Sequence, residues 1–171
     1  MHTPRLRHST PWLALAVSLA VVGCAPPPST LALEPTLLPA NEVPAITGAE
    51  AGGSATAKVT LNLTKDSAGN VSAATLDVNV TATGFPAGTA LTASHIHSAP
   101  AGVNGGIVIS FGLTPGEVIF ATGSGSFTKQ GISVSADQAN AILANPGGFY
   151  VNTHTAANTN GVARGQLTRT N

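Results

Sequence analysis

The chain is short of charge. Its 171 residues carry seven Lys or Arg and seven Asp or Glu, too few to give a set of amphipathic helices their charged faces. What replaces charge is Gly, Ala, Thr, Val, Ser and Asn, a mixture that builds strands and turns. Basic clusters are missing too. Beyond the first two dozen residues, five basic side chains (Lys58, Lys65, Lys129, Arg164, Arg169) face seven acidic ones, a net charge of −2. That excludes nucleic acid as a partner, since nothing could neutralise a run of phosphates. Cysteine is nearly absent: Cys24 is the only one, so no intramolecular disulfide forms. No serine sits in a Gly-x-Ser-x-Gly elbow, and the loop Gly102–Gly106 lacks both the Lys and the following helix of a phosphate-binding loop. Hydrolase and nucleotide-binding readings find no support. There is no internal repeat.

What is present begins with a leader. Arg5 and Arg7 precede an apolar stretch from Trp12 to Val22, a length that suits a signal peptide better than a membrane span. It runs into Val21-Val22-Gly23-Cys24, which resembles a bacterial lipobox, where cleavage precedes a cysteine that then receives lipid. The competing reading is an ordinary signal peptide with an incidental cysteine, but a lone exposed thiol is a liability in an exported protein. The organisation expected is therefore a lipoprotein signal peptide over 1–23, a Pro-rich flexible spacer over 24–36 and one domain over 37–169. The protein would be exported and held to the cell-envelope membrane through Cys24. From Cys24 onward 148 residues remain, enough for one domain with a core.

Within that domain the clearest pattern is alternation. Ala55, Ala57, Val59, Leu61 and Leu63 fall on one face of a strand and Thr56, Lys58, Thr60, Asn62 and Thr64 on the other. Asp66–Asn70 reads as a hairpin loop, and Val71–Thr83 repeats the alternation. Further strands are expected at the segment carrying His95 and His97, at Ile107–Phe111, Gly116–Ala121, Gly125–Lys129, Phe149–Thr155 and Val162–Thr168. Ser135 suits the N-cap of one short helix over Ala136–Ala144, stopped by Asn145-Pro146-Gly147-Gly148. About eight short strands at this spacing predict an all-β antiparallel sandwich with one inserted helix.

Function points to histidine. In Ser94-His95-Ile96-His97-Ser98 successive strand side chains alternate faces, so His95 and His97 share one, with Cα atoms roughly 6.5–7 Å apart. His154 lies in another strand-like run. His2 and His8 leave with the leader, so these three are all the histidines of the mature chain. Neutral imidazoles converging on one ion would suit copper or zinc. The alternative is that they are half-buried strand residues bonded to nearby backbone. Tyr150 and Asn152 share a face with His154 by parity and could hydrogen-bond it, or lie on the surface. Arg164, alone among small residues, calls for a carboxylate, and Glu42 is a candidate partner. The functional alternative is that Arg164 steers an anion.

Four motifs occur in order: Leu38-Pro39-Ala40-Asn41-Glu42-Val43-Pro44, Ser94 to Gly105 with its His-x-His, Tyr150-Val151-Asn152-Thr153-His154-Thr155, and Gly161 to Leu167. Together they resemble the chordin-type (CHRD) domain over roughly Leu37–Thr168. The chain departs from the usual pattern at Ser98 (usually Gly), Gly106 (often Pro) and Ala163 (commonly polar), positions that bear on loop shape. The His-x-His strand, the later histidine and a Gly-x-x-Arg near the end are also similar, more distantly, to copper–zinc superoxide dismutase. That similarity would make His95, His97 and His154 copper ligands and Arg164 an anion guide. A bridging histidine, a zinc aspartate and the disulfide are all missing. These resemblances imply a Greek-key sandwich of the immunoglobulin/superoxide-dismutase kind. Two functions follow as expectations: a binding or structural module of the cell envelope with a metal site and a protein or glycan partner, or a copper-dependent redox enzyme.

Overall fold

The computed structural model describes residues 29–170. The leader and Cys24 lie outside them. Ten strands are present: β1 (Ser29–Leu33), β2 (Thr36–Leu37), β3 (Ser54–Lys65), β4 (Val71–Thr83), β5 (Thr89–Ser98), β6 (Gly106–Ser110), β7 (Val118–Phe120), β8 (Gly125–Val134), β9 (Phe149–Thr155) and β10 (Ala163–Gln166). One helix, α1 (Ala136–Ala144), separates β8 from β9. The strands form two five-stranded antiparallel sheets. The first runs β1-β3-β4-β8, with β2 also on β3, and the second runs β10-β9-β5-β6, with β7 also on β5. Pairings such as β4 with β8 and β5 with β9 join strands distant in sequence, as a sandwich with crossover connections requires.

The core lies between the sheets, and the alternation read from sequence fills it. Val59 and Leu61 of β3, Val78 and Val80 of β4, Ile96 of β5 and Val151 of β9 are all buried there. In α1, Ser135 Oγ accepts from the backbone N–H of Gln138, and Gln138 Oε1 accepts from that of Ser135. This reciprocal cap fixes the helix start. Ala139 and Ile142 are its buried residues, and Gln138 Nε2 donates to Val108 O at 2.7 Å, occupying an acceptor of β6. Among the described residues no helix is long and apolar enough to cross a membrane.

Several strand boundaries differ from expectation, and Ile107–Phe111 moves by one residue to Gly106–Ser110. Gly116–Ala121 shrinks to Val118–Phe120, and Val162–Thr168 to Ala163–Gln166. The strand from Gly125 continues to Val134 because a bulge opposite Asp77 absorbs Gly131 at φ 67°, with the Gly131 N–H donating to Asp77 Oδ1.

The larger correction concerns the stretch expected to be a loose spacer up to residue 36. Ser29–Leu33 pairs with β3, setting Leu31 opposite Leu61 and Leu33 opposite Val59. Leu31, Leu33 and Leu37 point inward, a period-two pattern that the flanking prolines obscure. The same segment reaches the other sheet. Glu34 N–H donates to Thr168 O, and Leu38 and Arg164 exchange backbone hydrogen bonds at 3.0 and 3.3 Å. One edge of the sandwich is closed by the start of the domain.

Leu33 is 2% exposed, so Leu33→Ala should lower unfolding stability by about 2–5 kcal/mol. Urea denaturation of the purified chain measures this. A loss below about 0.5 kcal/mol, typical of an uncoupled surface site, would return this segment to the role of a spacer.

Candidate metal centre

The outer face of the second sheet carries the polar residues picked out by sequence. Strand pairing sets His95 opposite Asn152 and His97 opposite Tyr150, while His154 faces Ala93 one step further along. On the far side of β9, Arg164 lies opposite Asn152. Adjacency of β5 and β9 thus closes the sequence gap between His97 and His154.

Why the histidines face outward depends on a bulge. Leu91 of β5 is in the inter-sheet core, so strict alternation would put Ala93, His95 and His97 there too. The register between β5 and β9 slips between Leu91 and Ala93. Beyond the slip it is Ser94 and Ile96 that are buried inside, at 1% and 0% exposure. One extra residue exchanges the faces.

Carbonyl acceptors then fix the ring nitrogens. His97 Nδ1 lies 3.0 Å from Gly105 O, and His154 Nδ1 lies 3.0 Å from Thr159 O. A carbonyl only accepts, so both Nδ1 atoms carry the proton and both Nε2 atoms keep a lone pair. His97 Nε2 is buried with no hydrogen-bond partner. His154 Nε2 sits 3.3 Å from His95 Nδ1. Two imidazole nitrogens bound at about 2.0–2.1 Å in tetrahedral geometry would be about 3.3–3.4 Å apart. One ligand nitrogen from each ring can be chosen so that all three lie within 4.8 Å of one another. The residues present fit a metal ion.

The field of the site keeps the rings neutral. Burial, reinforced by His154 and His97, drives the His95 pKa down to about 4. Burial also lowers His97, against the Gly105 bond and with help from His154 and Arg164. His154 is lowered by burial in the same way, opposed by its bond to Thr159. Neutral imidazole is the form that ligates metals.

A clamp supports His97. The Tyr150 ring stacks on the His97 ring with centroids 4.9 Å apart and planes 4° apart, and its hydroxyl accepts from Gly105 N–H. Gly105 therefore bonds the phenol through its N–H and the imidazole through its carbonyl. A Cβ at this position would lie 2.1 Å from Ser98 O, so only glycine fits. Tyr150 hydrogen-bonds Gly105 rather than His154. The Asn152 amide reaches the Asn160 carbonyl at 3.5 Å, and its Oδ1 is buried without a partner. Neither residue bonds His154, whose Nδ1 partner is the Thr159 carbonyl.

Arg164 is 3% exposed and fully engaged. Its Nε donates to Glu42 Oε2 at 2.9 Å, Nη1 to Val103 O and Nη2 to Asn104 Oδ1, and its guanidinium carbon lies 4.7 Å from the Tyr150 ring centroid. Burial pushes the Glu42 carboxyl up, with the Arg164 guanidinium pulling it back. Asn104 Nδ2 also donates to Val43 O. Arg164 and Asn104 thereby tie the loop after β5 to the segment around Glu42. Asn104 and Gly105 stand inside the recognised motif, yet their roles were not legible there. Thr159 acts through its carbonyl and leaves no signature in the sequence. Three clefts of about 650, 320 and 200 Å³ are lined by none of His95, His97 and His154, although the first takes in Glu42 and Arg164 and the third Glu42 and Thr159.

Removing one partner of the buried pair should be costly, because the other charge is left in the interior. Arg164→Met is expected to destabilise by about 3–5 kcal/mol and the double substitution Glu42→Gln with Arg164→Met by clearly less. Denaturant titration of both variants tests this, and equal losses would contradict the coupling.

The CHRD domain family model matches residues 33–167. No curated protein matches the chain, and no solved structure does. The match starts within β1 and ends just past β10, taking in both sheets and the face that carries the histidines. The chain belongs to the CHRD domain family.

Proposed function

We propose that this CHRD chain is a binding module of the bacterial cell envelope, exported and lipid-anchored at Cys24, that holds one transition-metal ion, copper or zinc, on His95, His97 and His154. The observation that carries the metal reading is His97 Nε2. It is buried and unpartnered, and it carries no proton because the Gly105 carbonyl holds the ring's proton on Nδ1, next to two further imidazoles. A buried acceptor with no partner carries a desolvation cost, and a bound cation offsets it. His97 and His154 would ligate through Nε2 and His95 through Nδ1, with the carbonyls of Gly105 and Thr159 orienting two of the rings.

Holding a metal is favoured over turning over a substrate. None of the three clefts is lined by a histidine. The guanidinium that an anion-guiding role would need free is bonded to Glu42, Val103 and Asn104 and lies against Tyr150. The copper-dependent, superoxide dismutase-like alternative loses its anion guide on that ground. The envelope location rests on the leader and the lipobox-like tetrapeptide ending at Cys24.

Mass spectrometry of metal content, on the purified chain after copper or zinc loading, tests the metal reading. About one equivalent per chain is expected, falling to near zero in His97→Ala. No retained metal in either form would sink it and turn the search to an envelope protein or glycan. For the anchor, Cys24→Ser should move the protein from the detergent phase to the aqueous phase, and unchanged partitioning would sink lipidation.

A further inference from the structure

We propose that the tip of the β3–β4 hairpin, Asp66–Asn70, is the surface of this domain that faces a lipid bilayer, at the level of the headgroups. The proposal rests on the lipid anchor at Cys24. It adds the orientation of the domain on the membrane, from the pairing of β1 and the length of chain before it.

Ser29 is the fifth residue after Cys24. An extended chain advances at most about 3.6 Å per residue, so Ser29 lies within about 18 Å of that cysteine. A spacer running to residue 36 would have allowed roughly 45 Å. The direction of the tether is fixed as well. β1 pairs antiparallel with β3, Ser29 opposite Leu63, so followed backwards from Leu33 the strand heads for the hairpin tip. Leu63 lies opposite Ala74, and Ala74 opposite Val134. The start of β1, the β3–β4 hairpin and the end of β8 therefore share one end of the sandwich. Ser54, Thr83 and Gly125 mark the other end, roughly 35 Å away along the 12 residues of β3.

The chemistry of the tip suits a polar interface. Asp66 to Asn70 are all exposed, and Ala68 is the one apolar side chain among them, so the tip has nothing to bury in hydrocarbon. Asp66 accepts from the backbone N–H groups of Ala68 and Asn70 and from Asn70 Nδ2. The turn thus satisfies its own polar groups and holds its shape against headgroups. Nothing draws the sandwich over onto one of its faces. Lys129 and Arg164 are paired with carboxylates, and beyond the leader the chain has a net charge of −2, which gains nothing from an anionic leaflet. Ile107 and Ile119, the most exposed large apolar residues described, stand on different strands, and single exposed side chains do not make a patch. β4 ends at Thr83 and β5 begins at Thr89, so β5 runs back toward the tethered end. By register His97 then lies nearer the bilayer than His95 or His154.

The test is quenching of a thiol-linked fluorophore by nitroxides on lipid headgroups. The purified, lipid-modified full chain is placed in phosphatidylethanolamine–phosphatidylglycerol vesicles that carry the nitroxide lipid. Cys24 is the only cysteine and lipidation blocks its sulfur, so Ser67→Cys and Thr83→Cys each supply one free thiol. Both positions are exposed, one at the tip and one at the far end. The label in Ser67→Cys should be quenched at least about threefold more than the label in Thr83→Cys. Equal quenching, or stronger quenching in Thr83→Cys, would overturn the orientation while leaving the anchor standing. A parent chain that itself takes up the label and does not float with the vesicles would overturn the anchor, and the orientation with it.

Discussion

A single slipped residue in β5 decides which side chains enter the core and which line the outer face of the second sheet. Up to Leu91 the odd-numbered side chains of that strand enter the core, and beyond Ala93 the even-numbered ones do. Without the bulge, His95 and His97 would be driven between the sheets and Ile96 turned out, an arrangement that costs both ways. Two imidazoles would lose water with few polar partners, and an isoleucine would lose its burial. With the bulge, Ile96 completes the core while the histidines line up beside Tyr150, Asn152 and His154 of β9. The outer face then becomes a polar layer with its own packing, covered by the loops that follow β5 and β9 and by the segment around Glu42.

That layer is organised by backbone carbonyls and one buried ion pair. Gly105 and Thr159 each accept from a histidine Nδ1 and so select the tautomer. Arg164 joins the segment around Glu42 to the loop at Val103 and Asn104, and also lies against the ring of Tyr150. Tyr150 in turn stacks on His97. The ion pair and the candidate ligands are therefore mechanically continuous, although Arg164 itself touches no ligand nitrogen. Such buried pairs add little net stability against an apolar replacement, but they are costly to break on one side. Their value here is in fixing where the covering loops sit.

Much of this was written in side-chain periodicity. The alternation from Ala55 to Leu63, the N-cap at Ser135 and the shared face of His95 and His97 follow from spacing alone. Glu42 and Arg164 could be paired on chemical need, since an arginine among small residues lacks other company. The inward set Leu31, Leu33 and Leu37 obeyed the same rule, but nearby prolines suggested a spacer. Other features had no local signature. A bulge is set by the partner strand, so nothing in Leu91-Thr92-Ala93 announces it. Carbonyl groups are common to every residue, which hides Thr159. Gly105 is indispensable because Ser98 O approaches its Cα, a contact created only when the loop folds back on β5.

The most direct test of this account is the protonation of the rings in the metal-free chain. Nitrogen-15 NMR of the imidazoles distinguishes the two tautomers at neutral pH. His97 and His154 should both be protonated at Nδ1 with a bare Nε2, and that bare nitrogen should shift when a metal is added. A proton on Nε2 of His97 would mean that the Gly105 carbonyl does not hold the ring, and the centre described here would not exist.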